Sequence, residues 1–276
     1  MKLTTGQRAL VTGASRGLGV EIARALAGRG LEIVLAARSD DALAAVARNL
    51  TEVTGARVTT MVVDMSDLPA VTRLLDQVGP IDVLVNNAGV EGAQAYYNRD
   101  VDDIVATINI NLTAPMVLAR QVLPGMISRG RGHIVNVASM AGLMAAAFNE
   151  PYSATKFGLV GFTRALRLTA KASGLDVSAS AICPGFIDGA GMFENLKANY
   201  GIDAPGSAPI EDVGRAVLDA IEQDLPDVIV VRGDVRPYVA QGIIDPQAAE
   251  AAALASPGTA LFQSVARARA GAAPTR

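Results

Sequence analysis

The chain has 276 residues, 50% hydrophobic and 18% charged, enough to bury one sizeable core, and α/β sheets of this length commonly stay undivided. A formal net charge of −3 offers no electrostatic footprint for nucleic acid or an anionic membrane, so neither partner is expected. A single cysteine, Cys183, cannot form an intrachain disulfide, and with a single histidine, His133, there is no Ser-His-Asp triad and no Cys/His metal cluster.

The first segment, MKLTTGQ, lacks the apolar stretch of an export signal, and the chain reads as having no run of some eighteen apolar residues; a soluble, cytoplasmic protein is expected. Residues 8–12 form the first predicted strand, which runs straight into Gly13-Ala-Ser-Arg-Gly17-Leu-Gly19 and then a helical apolar pattern at Ile22, Ala25 and Leu26. Strand, glycine turn and helix in that order suit a phosphate, because glycine lets the backbone approach closely and a helix start offers unpaired N–H groups. Further strands are predicted at 31–36, 57–63, 81–86, 132–138, 176–182 and 227–231, each of the first six followed by a longer helical or loop segment. Such alternation reads as a parallel sheet with helices on both faces, and the nearly continuous apolar runs as strands buried on both sides. Right-handed crossovers then bring the C-terminal ends of all strands to one edge, where ligands of open α/β sheets bind. The glycine turn, Asp64, Asn86 to Gly89, Ser139 and Pro184-Gly185 all fall at that edge.

Within the predicted helix after Pro151, Tyr152 and Lys156 stand four apart, on one helical face. A cation roughly 5 Å from a phenol, at an effective dielectric of about 20, favours the phenolate by about 3 kcal/mol, or around two pK units. The expectation is therefore a tyrosine lowered from its ordinary value of about 10 and usable as a general acid/base, with Ser139 supplying a hydroxyl to a substrate oxygen. Cys183 reads as a small buried hydrophobe.

These motifs, in this order, resemble the short-chain dehydrogenase/reductase family over nearly the whole chain up to about residue 231. The family's T-G-x-x-x-G-x-G is similar to Thr12 to Gly19 and its N-N-A-G to Asn86 to Gly89. Its catalytic Ser, Tyr and Lys match Ser139, Tyr152 and Lys156, its catalytic Asn matches Asn111 in INL, and its P-G turn matches Pro184-Gly185. The resemblance implies a doubly wound, Rossmann-like seven-stranded sheet of order 3-2-1-4-5-6-7. It implies hydride transfer between a nicotinamide and a carbonyl held by Ser139 and Tyr152, with Tyr152 passing the proton. Lys156 would hold the nicotinamide ribose, and Asn111 would fix a water linking the lysine to solvent; a helix-interior Asn facing solvent or bonding the backbone is the other reading of Asn111. Cofactor contacts are implied for Gly13, Ser15, Arg16, Gly17, Leu18 and Gly19, for Asn87, Ala88 and Gly89, for Tyr152 and Lys156, and for Pro184, Gly185 and Ile187. Asp64 is either the adenine-contacting acid or a helix N-cap.

Strand 2 ends in Ala36-Ala37-Arg38-Ser39, with arginine where an acid would bind the ribose 2′-hydroxyl of NAD. Arg38, with Arg16 opposite, suits a 2′-phosphate, so NADP(H) is expected over NAD(H). Segment 186–209, with Phe186, Met192, Phe193 and Tyr200, reads as a flap over the site, and Met144, Phe148, Tyr96 and Tyr97 as candidate apolar wall. Gly189 stands where the family usually has a threonine for the nicotinamide amide. Residues 232–276 are an Ala/Pro-rich extension with possible helices at 246–255 and 259–270, packed on the same domain or partly disordered; they depart from the short C-terminal ending with which the family builds its tetramer, and a homodimer or homotetramer is expected. The favoured activity is ketone/secondary alcohol interconversion on a small molecule. The alternatives are a non-catalytic NADP(H) sensor and a ketoreductase for carrier-bound thioesters, for which Arg99, Arg129 and Arg131 are the candidate basic patch; a sugar-nucleotide epimerase would need T-G-x-x-G-x-x-G and a longer substrate domain.

Overall fold

The computed structural model describes residues 1–189 and 207–271. Seven strands form one parallel sheet in the order β3-β2-β1-β4-β5-β6-β7: β1 Arg8–Thr12, β2 Glu32–Ala37, β3 Val58–Val62, β4 Val83–Asn86, β5 Gly132–Val137, β6 Val177–Pro184 and β7 Asp227–Val230. This is the doubly wound Rossmann-like order, and each strand lies within two residues of its predicted bounds.

Side-chain alternation along the strands divides the interior into two cores. Ala9 and Val11, Ile33 and Leu35, Val83 and Val85, and Val135 and Val137 face one side, where α1 (Leu18–Ala27), α2 (Asp40–Thr54) and α7 (Ile210–Glu222) supply Ile22, Leu26, Leu43, Val213 and Val217. Leu10, Val34, Leu84 and Ile134 face the other, against Leu74 of α3 (Leu68–Val78), Leu118 and Met126 of α5 (Ala114–Ser128), and Ala170 of α6 (Glu150–Ala172). Truncating one of these fully buried leucines to alanine would cost about 2–5 kcal/mol. Burial on both faces does not extend to β3: as an edge strand it is half open, with Val62 57% exposed.

Helix α4 (Val101–Ile108) continues through a π-turn at Asn109–Thr113 into α5. This run, Val101–Ser128, is long and apolar enough by length and composition alone to cross a membrane, although Asp102, Asp103, Asn109, Asn111 and Arg120 interrupt it, so that it is no continuous apolar stretch. Here α5 packs Leu118, Ala119, Val122 and Met126 into the second core.

After β7 the chain forms α8 (Arg236–Ile244), α9 (Pro246–Leu254) and α10 (Pro257–Gly271). The first of these was not anticipated, because Pro237 reads as punctuation although proline is well placed in a first helical turn. Leu261 and Val265 of α10 are buried against Ala93, with Phe148, Phe186 and Phe262 packed around them. The extension is thereby fastened to the loop after β4, at the C-terminal edge of the sheet.

Candidate active site

The turn after β1 brings the backbone to a cavity of about 1170 Å³ at that edge. Gly13 lies at φ 66°, and a Cβ there would meet Ala88 Cα at 2.7 Å. The β1 and β4 ends are locked together by Thr12, whose hydroxyl accepts the N–H groups of Asn87 and Ala88, both at 3.0 Å. The Asn87 amide donates back to the Thr12 carbonyl at 2.9 Å. Gly17, at φ 57°, stands at the start of α1 without a side-chain cap, so the N–H groups of the first turn remain for a ligand. Gly13, Ser15, Arg16, Gly17 and Leu18 line the cavity, as do Arg38, Asp64, Asn87, Ala88 and Gly89. Gly19 is not among the lining residues: a Cβ there would lie 2.4 Å from the Gly13 carbonyl oxygen, so its role is the close packing of helix on turn.

Arg38 is 70% exposed, with Nη1 4.0 Å from Asp64 Oδ2. Asp64 accepts from the N–H and the hydroxyl of Ser66, both at 2.8 Å, and these bonds hold its carboxyl below the usual range. It is not a helix cap; Asp67 caps α3, accepting from Ala70 N–H at 3.0 Å. Pro184, Gly185, Phe186 and Ile187 complete this part of the wall. Met192, Phe193, Tyr200 and most of flap 186–209 lie outside the described residues. Gly189 sits at φ 69°, a conformation a threonine would resist.

Ser139, at the end of β5, and Tyr152 and Lys156, at the start of α6, line the same cavity. The Ser139 hydroxyl accepts from Ala141 N–H at 3.1 Å and hydrogen-bonds the Tyr152 phenol. Lys156 donates to the Val137 carbonyl at 2.8 Å and lies 5.5 Å from the Tyr152 ring centre. Asn111 is fully buried at the π-turn, a local irregularity frequent at functional sites. Its Oδ1 accepts from Val90 N–H at 2.8 Å, while its Nδ2 donates to the Val90 carbonyl at 2.8 Å and to Thr155 Oγ1 at 3.2 Å. It is not itself a lining residue, though a Cβ on Gly89 would lie 3.4 Å from its Oδ1 and 3.7 Å from Lys156 Nζ.

The electrostatics correct one expectation. The Tyr152 phenol is raised, first by burial and then by the Glu91 carboxylate, with only the Ser139 hydrogen bond and not the lysine opposing. Lys156 is itself pulled down to about 8 by burial. Desolvation exceeds the pair's attraction because both side chains are more than nine-tenths buried and the ammonium is directed to a backbone carbonyl. A protonated phenol near neutral pH is poised as an acid toward an alkoxide, the stronger base.

Two lining residues escaped the sequence analysis. Glu91, two residues past Gly89, is pushed up to about 7 by burial, with the charges of Arg269 and Lys156 opposing. Its acidic character just beyond a strand end was the available signal. Asn149, 1% exposed, has neither end of its amide hydrogen-bonded among the described residues. Of the candidate wall, Met144 lines the cavity, as does Phe186 of the expected flap, whereas Phe148 packs under α10, and Tyr96 and Tyr97 are 53% and 87% exposed. Tyr238, Ala249, Ala252, Thr259 and Phe262 of the C-terminal helices line it instead. Arg129 and Arg131 pair with Asp82, before β4, at 3.3 and 3.1 Å. They therefore occupy the opposite edge of the sheet and form no basic patch at the cleft mouth.

A doubly wound parallel sheet with a glycine turn, an acid/base tyrosine candidate and a buried lysine on one cavity defines an oxidoreductase of the Rossmann type. A family profile described as short chain dehydrogenase matches residues 7–201, and the chain belongs to that family. It is 40% identical over 234 residues to the ketoacyl reductase HetN of Nostoc sp. (strain PCC 7120), covering 83% of this chain and 80% of that protein. Among solved structures it is similar to an actinorhodin polyketide ketoreductase variant with NADPH, at 30% identity and TM-score 0.73, covering 82% of this chain and 95% of that one. It is also similar to a short chain dehydrogenase/reductase from Burkholderia phymatum in complex with NAD, at 25% identity and TM-score 0.79, covering 90% and 96%.

Proposed function

We propose that the chain interconverts a ketone and a secondary alcohol with NADP(H), using Tyr152 as general acid and base. The observation that supports this reading most is the convergence of Ser139, Tyr152 and Lys156 on the cavity that Gly13, Ser15, Arg16, Gly17, Leu18 and Arg38 also line. The residues fit a dinucleotide: the glycine turn on the cavity wall and the uncapped start of α1 suit a pyrophosphate, and Arg16 with Arg38 suit a 2′-phosphate. When bound, the nicotinamide supplies the hydride chemistry. Ser139 holds the substrate oxygen, and Tyr152 delivers its proton to that oxygen as negative charge develops. Lys156 would hold the ribose hydroxyls and, through water near Asn111, would return a proton to the phenol. Asn111 also fixes the Val90 backbone, on which the placement of Glu91 depends.

Tyr152→Phe tests the assignment. It should keep NADPH binding, read by cofactor fluorescence, and lose turnover by at least about a hundredfold; unchanged turnover would remove the phenol from the mechanism.

The relatives favour one class of ketone. HetN is a ketoacyl reductase and the actinorhodin enzyme a polyketide ketoreductase, so a 3-oxoacyl group is the leading candidate substrate.

A further inference from the structure

Asn149 occupies the N-cap position of α6: the N–H of Ser153 bonds its carbonyl at 2.7 Å. Asparagine is among the preferred caps because its side chain satisfies the free N–H groups of the first turn. Here the side chain makes no such bond. It is buried instead in the cavity wall, with Nδ2 and Oδ1 both without partners among the described residues. The preceding residue, Phe148, is held at φ 62°, a left-handed conformation that large side chains rarely adopt, and its carbonyl is fastened by Gln94 N–H at 2.9 Å. Backbone strain and an unsatisfied buried amide both work against folding, and such costs collect where a ligand is bound. One turn further on is Tyr152, an i,i+3 neighbour on the same helical face. Met144, Ala145, Ala146, Phe186 and Phe262 supply apolar wall to the same cavity.

We propose that the side-chain amide of Asn149 is a substrate ligand that selects ketones carrying a second carbonyl oxygen two carbons from the reacting carbon, the 3-oxo esters and thioesters, by donating an N–H to that oxygen. The proposal rests on the reductase reading above and adds the residue that discriminates among ketones. With the ketone oxygen at Ser139 and Tyr152, the second oxygen is presented one helical turn back, toward residue 149. A monoketone leaves the amide unpaired in the complex and is bound less well.

The test compares ethyl 3-oxobutanoate with 4-ethoxybutan-2-one, which replaces the ester carbonyl by a methylene, followed by NADPH absorbance in wild type and in Asn149→Leu. The wild type should prefer the oxo ester. In Asn149→Leu the ratio of kcat/KM values should fall at least tenfold, with the loss in the KM of the oxo ester, while the melting temperature holds or rises because a buried orphan amide has been removed. Asn149→Ala, which removes the amide without adding any polar group, should lose the preference as well, and it carries the test if the leucine variant does not fold. A ratio that moves less than twofold in the folded variants would overturn the proposal and leave the reductase reading standing. Failure of the wild type to reduce either compound, with NADPH bound, would overturn that reading and the proposal with it.

Discussion

Glu91→Gln isolates a charge that burial in the cavity disfavours. The carboxyl is pushed from an ordinary value of 4.5 to about 7, first by burial, with Arg269 and Lys156 only partly offsetting. Because the folded value lies above the unfolded one, the folded state binds the proton more tightly. The associated stability is complete below about 4.5 and is lost as pH rises through about 7. The difference between 4.5 and about 7 corresponds to about 3.5 kcal/mol at roughly 1.4 kcal/mol per pK unit; since the residue retains some solvent contact, about 2 kcal/mol is the better figure. Urea unfolding at pH 5.5 and 8.5 reads this directly. Other titrating groups contribute to both proteins, so the quantity is the difference between them: the wild type should lose about 1–2 kcal/mol more than Glu91→Gln across that interval. Equal losses would mean that the carboxyl is solvated and does not burden the cavity with charge.

The remaining predictions concern cofactor and turn. On the NADP(H) reading, Arg38→Asp should raise the KM for NADPH at least tenfold with little change for NADH, since it removes the cation that would face the 2′-phosphate; a wild type that prefers NADH would end the argument. Gly19→Ala should lower stability by about 1–3 kcal/mol in denaturant unfolding, because the added carbon meets backbone at 2.4 Å and a flexible side chain is not there to give way. Stability equal to wild type would show that helix and turn are not packed as closely as the Gly13 carbonyl contact indicates.

The sheet was legible because strands buried on both faces leave unbroken apolar runs, and the motifs fell at strand ends that crossover handedness sends to one edge. What local spacing does not carry is direction. Tyr152 and Lys156 are four apart as expected, yet the lysine's bond goes to Val137, nineteen residues back, and desolvation sets the phenol's proton affinity. Arg129 and Arg131 looked like free surface cations until β4 placed Asp82 beside them. Asn149 was invisible for the opposite reason: in a sequence, an asparagine before a helix is a cap, and only the fold reveals that it caps nothing.

The two ends of α6 show how one helix separates holding the fold from doing chemistry. Its far end lies at the N-terminal edge of the sheet, where Arg167 pairs with Asp224 at 2.7 Å and donates to Ser178 at 2.7 Å. Burial alone would raise the Asp224 carboxyl; the arginine's bonds and charge outweigh that and hold it at about 2, so the pair stays ionised throughout the working range. At the near end the charged groups are left in the opposite condition. Lys156 has a carbonyl rather than a carboxylate as its bonded partner, and Glu91 forms no ion pair within 4.0 Å among the described residues. Burial without a close counter-ion moves both toward neutrality, to about 8 and about 7. Groups that hesitate between protonation states near pH 7 are poor struts and good proton carriers. The rigid end therefore supplies what the cavity end withholds: a fixed helix axis along which Tyr152 and Lys156 keep their spacing.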